Sequence, residues 1–407
     1  MKKEVYVWGS LLLLSVLGGL LYYNTVLVDT QAYVLSVYYL EGNSLGQDDI
    51  VRVIASYAFK RPVEILVAAM LEPLVGVRQA YSLINMLLYI ATTFLFYVYL
   101  KRFFRKEEEQ KQNQQEKERA EQLAYLGAVL YAVSLPLILY ATRVLVDVVG
   151  YLTILLGLLL IEYVKEKKWQ WHLLLGIVLG FFLLVRDPVV ILFPYYFFVL
   201  MKQKGKNVIE KTGRFLSVAA VALLPEIIFT KLAGVGTVLS GKAAAITAGK
   251  YSLMGWFKFT IVHLAAFHVA YLFAMFGWKK ETENEKEHRT ENNKQRLFFY
   301  KAYGISAVLY LVGIQLVALT SPRFTMVLFP VILPLAAIGI LSLAEKMQDK
   351  IAGHKTILCC ILLYAAISFI GAWLYPSRTL ILEDAGGNAV IQAVIEGVKI
   401  KLAVFVS

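Results

Sequence analysis

The sequence predicts an all-α protein that crosses a membrane about eleven times. Of its 407 residues, 59% are hydrophobic and only 17% are charged, whereas about a quarter are charged in an ordinary soluble domain. The apolar residues come in blocks of roughly 18 to 22, long enough to span a hydrocarbon core about 30 Å thick. Basic residues occupy the short segments between the blocks. A soluble domain hides only one or two such blocks as core helices, so this distribution excludes a soluble fold.

Eleven blocks have the length and polarity of spans, although the fifth and sixth are short. Pro188 separates these two, and because proline cannot continue a regular helix without losing a backbone bond, we expect a turn at Arg186-Asp187-Pro188. Residues 62–76 are apolar but interrupted by acids and a proline, which favours a re-entrant or interfacial helix. The predicted spans are 5–23, 79–100, 122–141, 146–164, 172–186, 188–201, 214–232, 257–277, 299–319, 325–343 and 355–375.

The distribution of basic residues predicts an orientation. With the N-terminus in the cytoplasm, about 27 of the 41 Lys and Arg residues fall in or beside the inner segments, as the positive-inside tendency requires. The net charge of +12 therefore reflects topology and does not indicate a nucleic-acid partner. The outer side then holds a long first loop, 24–61, with interfacial helices, and a short C-terminal tail, 376–407. Residues 1–375 form the membrane domain, and the protein is expected in the cell membrane.

Charged residues inside an apolar layer are costly, so those that occur there are candidates for function. The predicted topology places eleven acids and bases at or just inside the outer face, on several spans that are expected to meet at one cavity. The alternative is that they are interfacial residues or ion pairs that hold helices together. These residues are Asp29, Asp48, Asp49, Arg61, Glu64, Arg143, Asp147, Arg186, Asp187, Glu226 and Arg323.

Five short motifs carry most of these charges. They are, in chain order, Val28-Asp29-Thr30-Gln31-Ala32-Tyr33, Lys60-Arg61-Pro62-Val63-Glu64, Tyr140-Ala141-Thr142-Arg143-Val144-Leu145-Val146-Asp147, Arg186-Asp187-Pro188 and Ser321-Pro322-Arg323-Phe324-Thr325. Their order resembles that of the GT-C glycosyltransferases, which use polyprenyl-phosphate sugars and include protein mannosyltransferases and lipid A aminoarabinose transferases. The resemblance covers roughly residues 5–345 and implies a GT-C-like helical bundle.

The sequence departs from the family pattern at three positions. Thr30 stands where the family often has Glu, so the usual pair of acids is missing. Arg186 stands where Lys is common, and Phe324 replaces a Tyr. The missing acid leaves open whether a divalent metal ion takes part and which acceptor is used.

The resemblance implies a membrane glycosyltransferase, inverting at the sugar, that acts at the outer face. Its donor would be a polyprenyl-phosphate-linked sugar, and its acceptor a protein, lipid or glycan. Asp29 aligns with the family's catalytic Asp and is expected to be the general base, while Asp147 would position the acceptor or a metal. Tyr33 is expected to line the sugar site. The residues expected to hold the donor phosphate are Arg186 and Arg323, with Arg143 and Arg61 as further candidates.

Two other functions fit the same composition. A secondary transporter or flippase also needs buried charges and about a dozen spans, although two similar halves with broken helices are not visible here. A non-catalytic, GT-C-like membrane partner of a complex would explain the missing acid at Thr30.

Overall fold

The computed structural model describes residues 2–21, 30–50, 62–105, 114–141, 147–205, 207–233, 260–261, 263–288, 291–316, 322–347 and 350–374. Within these ranges all regular secondary structure is helical. The helices are α1 (Lys2–Leu20), α2 (Thr30–Leu40), α3 (Pro62–Val75), α4 (Val77–Phe104), α5 (Gln114–Ala132), α6 (Leu135–Tyr140), α7 (Asp147–Val164), α8 (Trp169–Val185), α9 (Leu192–Lys202), α10 (Val208–Ala233), α11 (Val269–His288), α12 (Glu291–Leu316), α13 (Pro322–Thr325), α14 (Phe329–Glu345) and α15 (Lys350–Leu374).

Every predicted span overlaps a helix, and the all-α membrane fold is confirmed. In the described part of the chain, six helices are long and apolar enough to cross a membrane, namely α4, α7, α10, α12, α15 and α14 with its preceding turn. Helices α1 and α8 are apolar but shorter. The count of eleven stays a prediction, and the predicted tail at 376–407 lies outside the described residues.

The structure corrects one detail of the predicted spans and confirms another. The third predicted span, 122–141, is two helices, because the chain turns at Val133 and Ser134 before Pro136 begins α6. The turn expected at Pro188 is present, since Arg186 is extended and a 3-10 turn covers Asp187–Ile191.

Two short helices occupy the predicted first outer loop and the segment after it. Helix α2 has 11 residues and α3 has 14, so at about 1.5 Å per residue neither reaches across a core of about 30 Å. They lie beside the long helices, and an apolar cluster that includes Tyr33, Val37, Ile65 and Tyr81 packs them against α4 and α6.

The long helices alternate in direction, which gives the bundle two ends. At one end, Lys101 lies 3.8 Å from Glu4 and 3.2 Å from Glu121, and Arg119 lies 3.0 Å from Glu345. We call this the Lys101 end. It gathers segments that the sequence predicts on one side of the membrane. The opposite end, where α7 begins, is called the Asp147 end.

Helices α11 and α14 approach each other closely at two glycines. A Cβ on Gly277 would lie 1.9 Å from the Leu335 carbonyl oxygen, and one on Gly339 would lie 2.0 Å from that of Phe273. Small residues let membrane helices pack backbone to backbone, which compensates for the weak hydrophobic drive between helices in lipid. Helix α14 also lies at the centre of the bundle, because 78% of its apolar stretch is buried inside the protein.

Candidate functional site

A buried ion pair joins two neighbouring helices at the Asp147 end. Asp147 is the first residue of α7 and Arg186 follows the last residue of α8, and the guanidinium Nη2 donates to the Asp147 Oδ1. Helices α7 and α8 are antiparallel neighbours joined by a short turn at 165–168, so the start of one lies beside the end of the other. The two residues are 4% and 5% exposed, which places both charges away from water.

Gly150 provides the space for this pair. It lies one turn after Asp147 on α7, and a Cβ built there would come 2.7 Å from the Arg186 Cγ and 3.2 Å from its Cβ. The Arg186 side chain therefore crosses the first turn of α7 directly over this glycine. The neighbouring 3-10 turn begins with Asp187-Pro188, which directs the chain back into the bundle.

Helix α2 adds an aromatic wall to the site. Tyr33 is 4% exposed, and its ring centroid lies 5.9 Å from that of the fully buried Tyr81 on α4. The Tyr81 hydroxyl also donates to the Tyr33 carbonyl at 3.5 Å. Tyr33 and Asp187 are both close enough to Arg186 to interact with it electrostatically. The predicted sugar-site residue and the predicted phosphate-site residue thus belong to one neighbourhood.

Glu64 brings a further buried acid to the same end. It lies in the first turn of α3, is 4% exposed, and interacts electrostatically with Tyr81. Helix α3 packs against both α2 and α8. The elements that carry Tyr33, Glu64 and Arg186 are therefore contiguous.

The surface beside α2 carries additional negative charge. Partial desolvation, followed by repulsion from the Glu72 carboxylate, raises the pKa of Glu41, while a hydrogen bond from Asn43 at 3.1 Å acts in the opposite direction. The repulsion means that the loop after α2 and the end of α3 present their acids to one another. An acidic surface consequently borders the Asp147 end.

Of the four remaining predicted site residues, the structure describes one, Arg323. Asp29, Arg61 and Arg143 lie outside the described residues, although Asp29 directly precedes the first residue of α2. Arg323 is the second residue of α13, a short helix that packs against α6. Helix α6 in turn belongs to the apolar cluster that contains Tyr33, so α13 lies at the same end as the ion pair.

Sequence reasoning missed Gly150 and Tyr81, and it assigned no role to Glu64. A glycine three residues after a membrane-embedded acid was the only sequence signal for Gly150, and it is weak. Within the described ranges, no three His, Cys, Asp or Glu residues lie close enough together to hold a metal ion.

The fold and the site define a multi-pass, all-α membrane protein with charged and aromatic side chains from five helices gathered at one end of the bundle. Residues 117–230 match the family model of the dolichyl-phosphate-mannose-protein mannosyltransferases. This segment runs from α5 to α10 and contains Asp147, Gly150 and Arg186. No curated protein matches the chain.

The resemblance predicted from the motifs is confirmed over this segment, which is a little over a quarter of the chain. The family match indicates a membrane glycosyltransferase that uses a polyprenyl-phosphate-linked sugar as donor. The match does not specify the acceptor, the catalytic base or the side of the membrane.

Proposed function

We propose that this protein transfers a sugar from a polyprenyl-phosphate donor to an acceptor hydroxyl at the outer face of the cell membrane. The observation that carries the proposal is the buried Asp147–Arg186 pair, because it lies within the segment that matches the mannosyltransferase family. The pair also lies beside an aromatic wall at one end of the bundle, where a lipid tail can remain in the bilayer while its head group enters the site.

Arg186 is the proposed ligand of the donor phosphate. A guanidinium presents five donors in a planar fork that matches phosphate oxygens, and one of these donors is used by Asp147. The buried Nε of Arg186 has no acceptor among the described residues, so a donor remains for the phosphate. Asp147 would keep the guanidinium ionised and oriented in the apolar layer, which refines the positioning role expected for it. Arg323, Arg143 and Arg61 are proposed to complete the charge around the phosphate.

Asp29 is the proposed general base. It directly precedes Thr30, the first residue of α2, and Tyr33 lies in the first turn of that helix. In the proposed step, the acceptor oxygen attacks the anomeric carbon, its proton passes to the Asp29 carboxylate, and the bond from that carbon to the phosphate oxygen breaks. The lipid phosphate leaves with the bonding electrons. A single displacement of this kind inverts the anomeric centre.

The distribution of loop charge supports the proposed outer location of the site. The Lys101 end gathers the segments that are richest in Lys and Arg, and such segments remain in the cytoplasm by the positive-inside tendency. The Asp147 end would therefore face outward. Cysteine labelling with a membrane-impermeant reagent at Glu41 and at Lys346 tests this, since only the Glu41→Cys variant should react in intact cells.

The decisive experiment compares Asp29→Asn with Asp48→Asn, an exposed acid in the same predicted loop. Radiolabelled polyprenyl-phosphate mannose is incubated with purified protein and with membranes from cells that lack the chain, which supply acceptors. Loss of a positioned base should lower the transfer rate by ~10²–10⁴-fold in Asp29→Asn, and the control should remain near the wild-type rate.

Two results would contradict the proposal. Equal transfer by Asp29→Asn and Asp48→Asn would remove Asp29 from the mechanism. Movement of the labelled lipid between the leaflets of proteoliposomes, with no sugar transfer by the wild type, would favour a flippase.

A further inference from the structure

A polar cavity lies at the Lys101 end, where the ends of α7 and α9 meet the start of α12. Its volume is about 350 Å³, which is at the lower end of the range for small-molecule sites, ~300–1,000 Å³. Helix α7 has 18 residues and thus a length of about 27 Å, and this cavity borders its last turns whereas the Asp147–Arg186 pair lies at its first. The two sites are therefore at opposite ends of the bundle.

The walls and the rim of the cavity differ in polarity. Val199, Phe298 and Phe299 form apolar wall, whereas lysines and acids from the ends of α7 and α9 surround them. The Lys202 ammonium lies 4.4 Å from the centre of the Phe298 ring. A charged rim beside an apolar wall at the ends of membrane helices suits a molecule that is polar at one end and apolar at the other.

The rim offers charges of both signs. Both carboxylate oxygens of Glu162 already have partners. Its Oε2 lies 2.7 Å from the Lys165 ammonium, and its Oε1 accepts a hydrogen bond from the Tyr195 hydroxyl at 3.4 Å. Lys204 and Glu166 also line the cavity, and neither has an ion-pair partner within the described part of the chain. The cavity thus presents ammonium groups from the end of α9 and the residues just after it, together with a carboxylate that follows α7.

Charges of both signs favour a zwitterionic ligand over a simple anion. A phosphate would be attracted to Lys202 and Lys204, but a ligand with phosphate alone would also face the Glu166 carboxylate and be repelled by it. A primary ammonium two carbons from the phosphate would turn this repulsion into attraction and could donate three hydrogen bonds. A quaternary ammonium has no such donors.

We propose that this cavity binds the phosphoethanolamine head group of a membrane phospholipid. Lys202 and Lys204 hold the phosphate, Glu166 accepts from the ammonium, and the acyl chains run along the apolar wall towards the bilayer. The site is distinct from the proposed sugar-transfer site and does not depend on the proposed function.

Native mass spectrometry of the purified full chain tests the proposal. The protein is titrated with phosphatidylethanolamine, phosphatidylglycerol and phosphatidylcholine of identical acyl chains. We expect phosphatidylethanolamine to bind at least about tenfold more tightly than either other lipid, a difference that one charge-assisted contact can supply. Tighter binding of phosphatidylglycerol by the wild type would overturn the proposal and identify a general anion site.

Matched variants assign the binding to this cavity. Lys202→Ala/Lys204→Ala should lose about tenfold or more in affinity for phosphatidylethanolamine. The control Lys279→Ala/Lys346→Ala removes the same charge from two exposed positions outside the cavity and should remain within about twofold. Equal losses of affinity in the two double variants would show that the lipid does not bind in this cavity.

Glu166→Gln tests the ammonium contact separately. It should abolish the preference for phosphatidylethanolamine over phosphatidylglycerol while leaving binding of the latter unchanged or stronger. An unchanged preference would refute the role of Glu166. Soluble glycerophosphoethanolamine and inorganic phosphate are added as competitors, and complete displacement by inorganic phosphate at equal concentration would show that the ligand is free phosphate and not a lipid.

Discussion

Arg186 donates to Asp147 from the end of α8 to the start of α7, and the side chains of the two residues are 6% and 5% exposed. Both charges are almost completely shielded from solvent, so each depends on the other. Replacing such a pair by apolar residues is often tolerated, whereas removing one partner leaves a buried charge uncompensated. This dependence makes the pair a sensitive point for stability and, under the proposed function, for donor binding.

Arg186→Ala should lower the free energy of unfolding by ~3–5 kcal/mol, because it leaves the Asp147 carboxylate buried in the apolar layer without its arginine partner. Unfolding in mixed detergent micelles measures this. Arg119→Ala is the matched control, since its pair with Glu345 at 3.0 Å is about 45% and 41% exposed and should cost at most about 1 kcal/mol. A similar loss in both variants would mean that burial does not determine the strength of the Asp147–Arg186 pair.

Arg186→Lys should retain more transfer activity than Arg186→Ala. It keeps the positive charge beside Asp147 and the donor phosphate but loses the planar fork, and Lys is common at this position in the family that the motifs resemble. Steady-state transfer rates at saturating and limiting donor concentration measure the difference. Equal rates for the two variants would argue against a phosphate-binding role at this position.

Gly150→Ala should weaken donor binding through the position of Arg186. The added methyl group would lie 2.7 Å from the Arg186 Cγ, so the Arg186 side chain must shift from its present position, at a cost of about 1–3 kcal/mol. Gly313→Ala is the control, because nothing lies within 4 Å of that position and the change should be neutral or should stabilise the helix by up to about 1 kcal/mol. Affinity for a polyprenyl-phosphate is the measurement, and equal affinity in both variants would contradict the steric argument.

Gly339→Ala should destabilise the bundle more than Gly150→Ala does. Its methyl group would meet the Phe273 carbonyl oxygen at 2.0 Å, and a backbone atom cannot rotate aside as the Arg186 side chain can. The two helices must therefore separate, which forfeits their close packing. Thermal unfolding of the two variants in one detergent tests the order. If Gly150→Ala proves the more destabilising, the close approach of α11 and α14 contributes less than this geometry implies.

Tyr81→Phe should reduce sugar transfer while costing about 0.5–1.5 kcal/mol in stability. The change keeps the ring that packs on Tyr33 and removes the hydroxyl that donates to the Tyr33 carbonyl. Tyr89→Phe serves as the control, since it also removes a buried hydroxyl that donates to a carbonyl, that of Ala132, away from the site. A comparable stability loss in both, with impaired transfer only in Tyr81→Phe, would support placement of α2 by this contact. Impaired transfer in both would point to a general packing effect.

Much of the membrane architecture was predictable because it depends on local properties. A membrane-spanning segment must satisfy its backbone hydrogen bonds internally, so each apolar block predicted a helix, and every predicted block overlaps one in the structure. Proline located the turn at Pro188. The break inside 122–141 was missed because Ser134 and Pro136 sit in a continuous apolar block, where proline near a helix start and proline inside a helix look alike.

The candidate site was predictable only in part. Topology assigned Asp147, Arg186 and Tyr33 to one face of the membrane, and the structure brings them together. It did not indicate that Asp147 and Arg186 bond to each other. Asp147 and Arg186 are 39 residues apart, and no local pattern encodes which charges on one face become partners.

The sequence by itself determined that this is a helical membrane protein, and its loop charge predicted an orientation that places a set of charged residues on one side. These properties depend on transfer free energies summed over each segment, and composition is sufficient to give those sums. Tertiary structure alone decided that Arg186 pairs with Asp147, that Gly150 makes room for it, and that Tyr81 holds Tyr33 nearby. These relationships depend on how helices distant in sequence cross, which is set by side-chain packing over a few ångströms.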